Sequence, residues 1–158
     1  MPELIVTNTG PLIVLQRVQC LDIVGRLPLE FVCPREVRVE LDQGEATGHQ
    51  RLVPPWLRVV DLHAPHSALA IAGLDTGEAA VIQLAAELGV RWVALDDWKG
   101  RRAALASGLR VTGSLGLLAR AKALGLVPAL RPILHDAVAQ GIWYHPALIE
   151  SVLRAVGE

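Results

Sequence analysis

The acids in this chain best placed to do chemistry gather between Asp75 and Arg102. Asp75-Thr76-Gly77-Glu78 precedes a long apolar stretch, and Asp96-Asp97 follows the apolar run Trp92-Val93-Ala94-Leu95. Carboxylates at the edge of apolar segments are costly unless paired, hydrated or bound to a metal. Gathered together they can hold a divalent ion, and the basic run Lys99, Arg101 and Arg102 beyond them could meet phosphate. Each has a plainer use as well. One of Asp96 and Asp97 is expected to cap the helix entered near Gly100, which leaves the other for function. Asp75 and Glu78 have capping-box spacing, and for Glu78 capping and ligation balance evenly.

Further candidates lie outside that stretch. Asn8 closes the first apolar run, where its amide could contact a ligand, although shaping a turn is the simpler role. Glu40 stands one helical turn after Glu36, and a solvated helix face is the simpler role for it. Arg110 could extend the basic run, but charge runs are ordinarily solvated, so these cations matter only as neighbours of the acids. His63 and His66 lack a third ligand nearby and read as structural. The four tryptophans, with Trp143-Tyr144 among them, read as packing rather than base stacking.

Those side chains need elements to position them. Residues 4–6 are continuously apolar, as in a strand covered on both faces. Pro11 suits the first turn of a helix, and Leu12, Leu15 and Val18 form its apolar stripe, which 21–24 continue after a break. A second strand is expected at 31–33. Pro34 would open a helix over 35–41 that carries Glu36 and Glu40, and the polar stretch 43–49 reads as a mobile loop. After Pro54-Pro55 a third strand covers 57–62, and 63–74 could hold a short helix. Residues 77–88 are helical and apolar nearly all round, so that helix should be buried. Gly89, Gly108 and Gly125, each followed by an apolar residue, fit left-handed glycine caps. Strands at 92–95 and 110–112, a helix capped by Ser114 and running to 124, and helices at 129–139 and 146–156 complete the chain. The rhythm is α/β: a mainly parallel sheet with helices on both faces, whose sites lie at the strands' carboxyl ends.

Composition narrows the classes. A length of 158 residues suits one domain, spanning 1–158, and 52% apolar with 20% charged residues suits a chain that folds unaided. A net charge of −1 argues against coating nucleic acid by bulk charge while allowing a local basic groove. Cys20 and Cys33, in no CxxC spacing, read as two reduced, buried thiols in a cytoplasmic protein without a signal peptide. Charge interrupts every apolar stretch well short of the roughly 20 residues that span a bilayer, so no membrane is involved.

Ile5-Val6-Thr7-Asn8-Thr9-Gly10-Pro11 resembles the opening of PIN-domain proteins, and Pro34 to Glu40-Leu41 resembles their second motif. The stretches around Leu74-Asp75, Gly77-Glu78 and Leu95-Asp96-Asp97, Lys99-Gly100-Arg101-Arg102 are similar to one prokaryotic PIN-like subfamily, as is Val111-Thr112-Gly113-Ser114-Leu115-Gly116. The resemblance implies a small ribonuclease, often the toxin of a toxin–antitoxin pair, that uses Mg²⁺ or Mn²⁺ for metal-assisted hydrolysis. It implies a site of Asp96, Glu78, Glu40 and Asp97 as metal ligands with Asn8 beside them, and substrate contacts from Thr9, Lys99, Arg101 and Arg102. RNA, an antitoxin protein and a second copy of the chain are the partners it implies. The family has Asp where this chain has Asn8. An amide oxygen coordinates metal more weakly and cannot act as a base, so the rival expectation is a PIN-like module that binds RNA or a protein without cutting. Two other acid-loop α/β classes fit less well. A phosphatase would need an Asp nucleophile in Thr7-Asn8-Thr9, and a phosphoryl-transfer receiver carries its acid pair after the first strand.

Overall fold

The computed structural model describes residues 2–46, 51–65 and 73–158. Strands β1 (Glu3–Thr7), β2 (Leu29–Pro34), β3 (Leu57–Val60), β4 (Trp92–Ala94) and β5 (Arg110–Thr112) form a sheet in the order β3-β2-β1-β4-β5. Every neighbouring pair is parallel. Parallel pairing demands crossovers, and helices supply most of them. Helices α1 (Thr9–Arg17) and α2 (Leu21–Val24) lead from β1 to β2, and α3 (Arg35–Ala46) follows β2. Helix α4 (Thr76–Leu88) leads into β4, and α5 (Trp98–Ala106) joins β4 to β5. Helices α6 (Ser114–Ala123), α7 (Arg131–Ala139) and α8 (Pro146–Ala155) follow.

Strand side chains alternate between two cores. Ile5, Phe31 and Ala94 face one apolar cluster with Leu15, Val24, Leu118, Leu134 and Leu153, from α1, α2, α6, α7 and α8. Val6, Val32 and Val93 face the other with Val37, Val81, Leu84 and Ala104, from α3, α4 and α5. Both faces are therefore covered, which is why the inner strands β1, β2 and β4 carry continuous apolar runs, while the edge strands β3 and β5 admit Arg58 and Arg110. The chain adds β2 and β3 on one side of β1, then β4 and β5 on the other. The point where the order reverses lies between β1 and β4, whose ends stand level at Thr7 and Ala94. Asn8 continues that alignment, its N–H donating to the Ala94 carbonyl at 3.0 Å. Ligands of open parallel sheets bind in such a crevice.

Several boundaries depart from the sequence reading. Pro34 ends β2, level with Val60, rather than opening a helix. Helix α3 runs to Ala46, so 43–46 are helical, and the rest of the expected loop lies outside the described residues. An Arg38–Asp42 ion pair at 2.8 Å, one turn apart, supports the polar end of that helix. Strand β3 stops at Val60. Of the 63–74 segment, 63–65 and 73–74 carry no helix, and 66–72 lie outside the described residues. Gly89, Gly108 and Gly125 take φ of 66°, 81° and 73°, the left-handed caps expected of them. Ser114 does not cap α6. Gly113 holds that position without a side-chain bond, and Ser114 opens the helix.

Candidate functional site

Asp96 and Asn8 leave the ends of β4 and β1. Asp96 Oδ1 accepts the Ser114 N–H at 2.8 Å, so this carboxylate rather than a serine hydroxyl serves the start of α6. Asp96 Oδ2 is buried and has no hydrogen-bond partner among the described residues. Asn8 Oδ1 is in the same condition. Asn8 precedes α1 but makes no cap bond through its side chain, so the turn-shaping role expected of it is not met. A buried oxygen left unpaired costs about 1–3 kcal/mol. Two at adjacent strand ends are what a ligand-binding crevice would present.

Asp97 is the cap. Its Oδ2 accepts the N–H groups of Lys99 at 3.0 Å and Gly100 at 3.4 Å, so the pair divides as expected, with Asp96 left over. Asp75 and Glu78 form a full capping box at the start of α4: Asp75 Oδ1 accepts the Glu78 N–H at 2.7 Å, and Glu78 Oε2 accepts the Asp75 N–H at 3.4 Å. Burial pushes the Glu78 carboxyl up to about 7, aided by the Asp75 charge and by a hydrogen bond and charge from Asp97. Glu40 reaches the same edge of the sheet from α3, where its Oε2 accepts the Thr9 hydroxyl at 2.6 Å. Glycines make room for these carboxylates. A Cβ on Gly77 would stand 2.4 Å from Glu40 Oε1, one on Gly100 3.3 Å from Glu78 Cδ, and one on Gly113 2.4 Å from Asp96 Oδ1.

The acids thus come to one edge, but they do not close into the cage expected of Asp96, Glu78, Glu40 and Asp97. Among the described residues, no group of three or more His, Cys, Asp or Glu side chains is disposed to hold a metal ion. The reason is local: Asp97 is taken by backbone donors of α5, Glu40 by Thr9, and Glu78 by its capping box. By chemistry the donors suit a hard divalent cation, being oxygens throughout. The unpartnered atoms, Asn8 Oδ1 and Asp96 Oδ2, are where that fit is best.

The basic residues separate. Lys99 and Arg102 are exposed near the start of α5, and neither forms an ion pair with a described residue. Arg101 turns inward and donates from Nη1 to the Leu95 carbonyl at 2.8 Å, tying α5 to the end of β4. Arg110 begins β5, at the opposite end of its strand from the acids, with its guanidinium 5.9 Å from the Trp92 ring. His63 donates its backbone N–H to Glu87 at 2.7 Å, and His66 lies outside the described residues.

One residue escaped the sequence reading. The Tyr144 hydroxyl lies 2.6 Å from Oγ of Ser114, the residue whose N–H serves Asp96. Burial pushes the Tyr144 phenol up to about 12, against the Ser114 hydrogen bond and with the Asp96 charge adding to the rise. An aromatic pair just outside a helix was the only signal. The tryptophans divide likewise. Trp56 packs on Phe31 with centroids 4.9 Å apart and Trp92 is half-buried, whereas Trp98 and Trp143 are 69% and 75% exposed. Packing does not account for those two.

A family model described as a PIN domain matches residues 4–158 of the chain. No curated protein and no solved structure gives a match.

Proposed function

This chain belongs to the PIN-domain family, and from that premise we propose that it is a divalent-metal-dependent endoribonuclease. Membership carries a nuclease-type function; the metal and the RNA substrate are our extension. The observation that carries it is the pair of buried, unpartnered oxygens, Asn8 Oδ1 and Asp96 Oδ2, where β1 and β4 end. Asp96 and Asn8 would hold Mg²⁺ or Mn²⁺, with Glu78 and Glu40 beside them. Such an ion supplies Lewis-acid stabilisation of the scissile phosphate and an activated water. The chain's own residues do the positioning. Ser114 fixes Asp96 through one oxygen and leaves the other for the ligand. Thr9 orients Glu40, and Asp97 and Arg101 anchor α5 so that Lys99 and Arg102 can meet phosphates along a strand.

Asn8 supports a second reading, because the family's aspartate is missing there: a PIN module that binds RNA or a protein partner without cutting. One experiment separates the two. A mixed RNA pool is incubated with Mg²⁺ or Mn²⁺ and the unaltered protein, Asp96→Asn or Asn8→Asp. Metal-dependent cleavage by the unaltered protein that Asp96→Asn loses by 100-fold or more supports the nuclease. Cleavage by Asn8→Asp alone supports loss of catalysis at that position, and RNA binding without cleavage by any of the three supports the binding module. We extend the nuclease reading to a toxin working as a dimer and neutralised by an antitoxin; growth arrest on expression, absent for Asp96→Asn, tests the toxin role.

A further inference from the structure

We propose that Trp98 and Trp143 are base-stacking platforms on either side of Asp96, gripping the nucleotides that flank the scissile phosphate. The inference rests on the ribonuclease reading and deepens it. Trp98 follows the cap residue Asp97 directly and opens α5, with 69% of its surface exposed. Trp143 is 75% exposed and adjoins Tyr144, whose hydroxyl holds Ser114 at 2.6 Å, while the Ser114 N–H holds Asp96 at 2.8 Å. Trp98 is thus two residues from Asp96 along the chain, and Trp143 is linked to it through Tyr144 and Ser114. Large aromatic side chains this exposed lose the burial that ordinarily explains them.

Their surroundings favour a nucleic acid over an apolar partner. The Arg102 guanidinium sits 5.8 Å from the Trp98 ring, and Lys99 is exposed on the same helical turn. Trp143 and His145 meet in a T-shaped contact, with centroids 6.0 Å apart and planes at 80°. An exposed indole beside cations at Trp98 and a second exposed indole at Trp143 match a single strand, in which phosphates follow the cations and bases stack on the rings. An apolar protein surface would instead have to bury Lys99 and Arg102 without counter-charges.

The test measures binding in the non-cleaving Asp96→Asn background, so that binding is read without chemistry. The probes are an unstructured 10-nucleotide RNA and an abasic strand of the same length, followed by anisotropy. Trp98→Ala and Trp143→Ala should each weaken RNA binding about ten-fold, leave abasic binding unchanged, and be largely rescued by Phe. Thermal unfolding checks that both variants fold, as exposed positions permit. In the cleaving protein the same substitutions should raise KM and leave kcat nearly unchanged. Equal weakening on RNA and abasic strands, or none on either, overturns the platforms while leaving the nuclease reading intact. A change in oligomeric state with RNA binding preserved also overturns them, by making the indoles a protein interface. If the unaltered protein neither binds nor cuts RNA, the ribonuclease reading itself fails and the platforms with it.

Discussion

At the scale of single residues, the site is defined by side chains that lack something. Asp96 spends one oxygen on the Ser114 N–H and keeps the other buried without a partner among the described residues. Asp96→Asn preserves the first contact and removes the charge from the second. Metal-free Asp96→Asn should therefore unfold within about 1 kcal/mol of the unaltered protein, because relief of the orphan charge offsets any loss. In the unaltered protein Mn²⁺ at 100 times its Kd should add about 2.7 kcal/mol, and in the variant nearly nothing; thermal unfolding with and without Mn²⁺ reads both. Glu78 gives a pH prediction for the metal-free protein. Its carboxyl is raised from 4.5 to about 7, by burial first and then by Asp75 and Asp97. The folded state binds this proton more tightly than the unfolded chain, so the contribution to stability is full below pH 4.5 and is lost as pH rises through about 7. Glu78→Gln should flatten the decline in urea midpoint across that window. A slope identical in both proteins would show that Glu78 titrates as an ordinary carboxylate.

At the scale of elements, helix starts do the positioning. Helices α4, α5 and α6 all begin at the carboxyl edge of the sheet against an acid: Asp75 with Glu78 at α4, the cap Asp97 at α5, and Asp96, which follows the neighbouring strand β4, at α6. Asp75→Ala removes one half of the capping box and should cost about 1 kcal/mol in chemical denaturation, with a loss of activity as the α4 start frays and Glu78 with it. The glycines that admit the carboxylates should differ in consequence. A Cβ on Gly113 would meet Asp96 Oδ1 at 2.4 Å and the Leu95 carbonyl at 3.2 Å, both held in place, so Gly113→Ala should cost about 1–3 kcal/mol. A Cβ on Gly77 would meet only the end of the Glu40 side chain at 2.4 Å, which can swing away. Gly77→Ala should stay within about 1 kcal/mol, since alanine also favours the helix, while breaking the Thr9–Glu40 contact. If both substitutions cost alike, the backbone at Gly113 is softer than its contacts imply.

At the scale of the whole molecule, one parallel sheet separates two apolar clusters, and a layer of helices packs on each of its faces. Phe31 is 1% exposed, and Phe31→Ala should cost about 3–5 kcal/mol in a single cooperative transition read alike by fluorescence and circular dichroism. A net charge of −1 argues against holding RNA by bulk charge, so local cations must do it. With Lys99 and Arg102 as the two phosphate contacts, the slope of log K against log salt should be about −1.4 on a single strand. A much steeper slope would require a wider basic surface than these two residues. Among the described residues, no helix is long and apolar enough to cross a membrane.

Local chemistry was legible in the residues alone. Apolar runs marked β1, β2 and β4, glycines followed by apolar residues marked three helix ends, and the spacing of Asp75 and Glu78 marked a capping box, because each depends on backbone conformation over a few neighbours. The division of Asp96 from Asp97 was legible as a division, but not which acid did which. That depended on where α5 and α6 start relative to β4. The contact of Tyr144 with Ser114 had only an aromatic pair as its signal, and the engagement of Glu40 by Thr9, the inward turn of Arg101 and the exposure of Trp98 and Trp143 had none. They follow from strand order and helix packing, which join residues far apart in the chain, and from which oxygens remain unpaired once every nearby donor has been used.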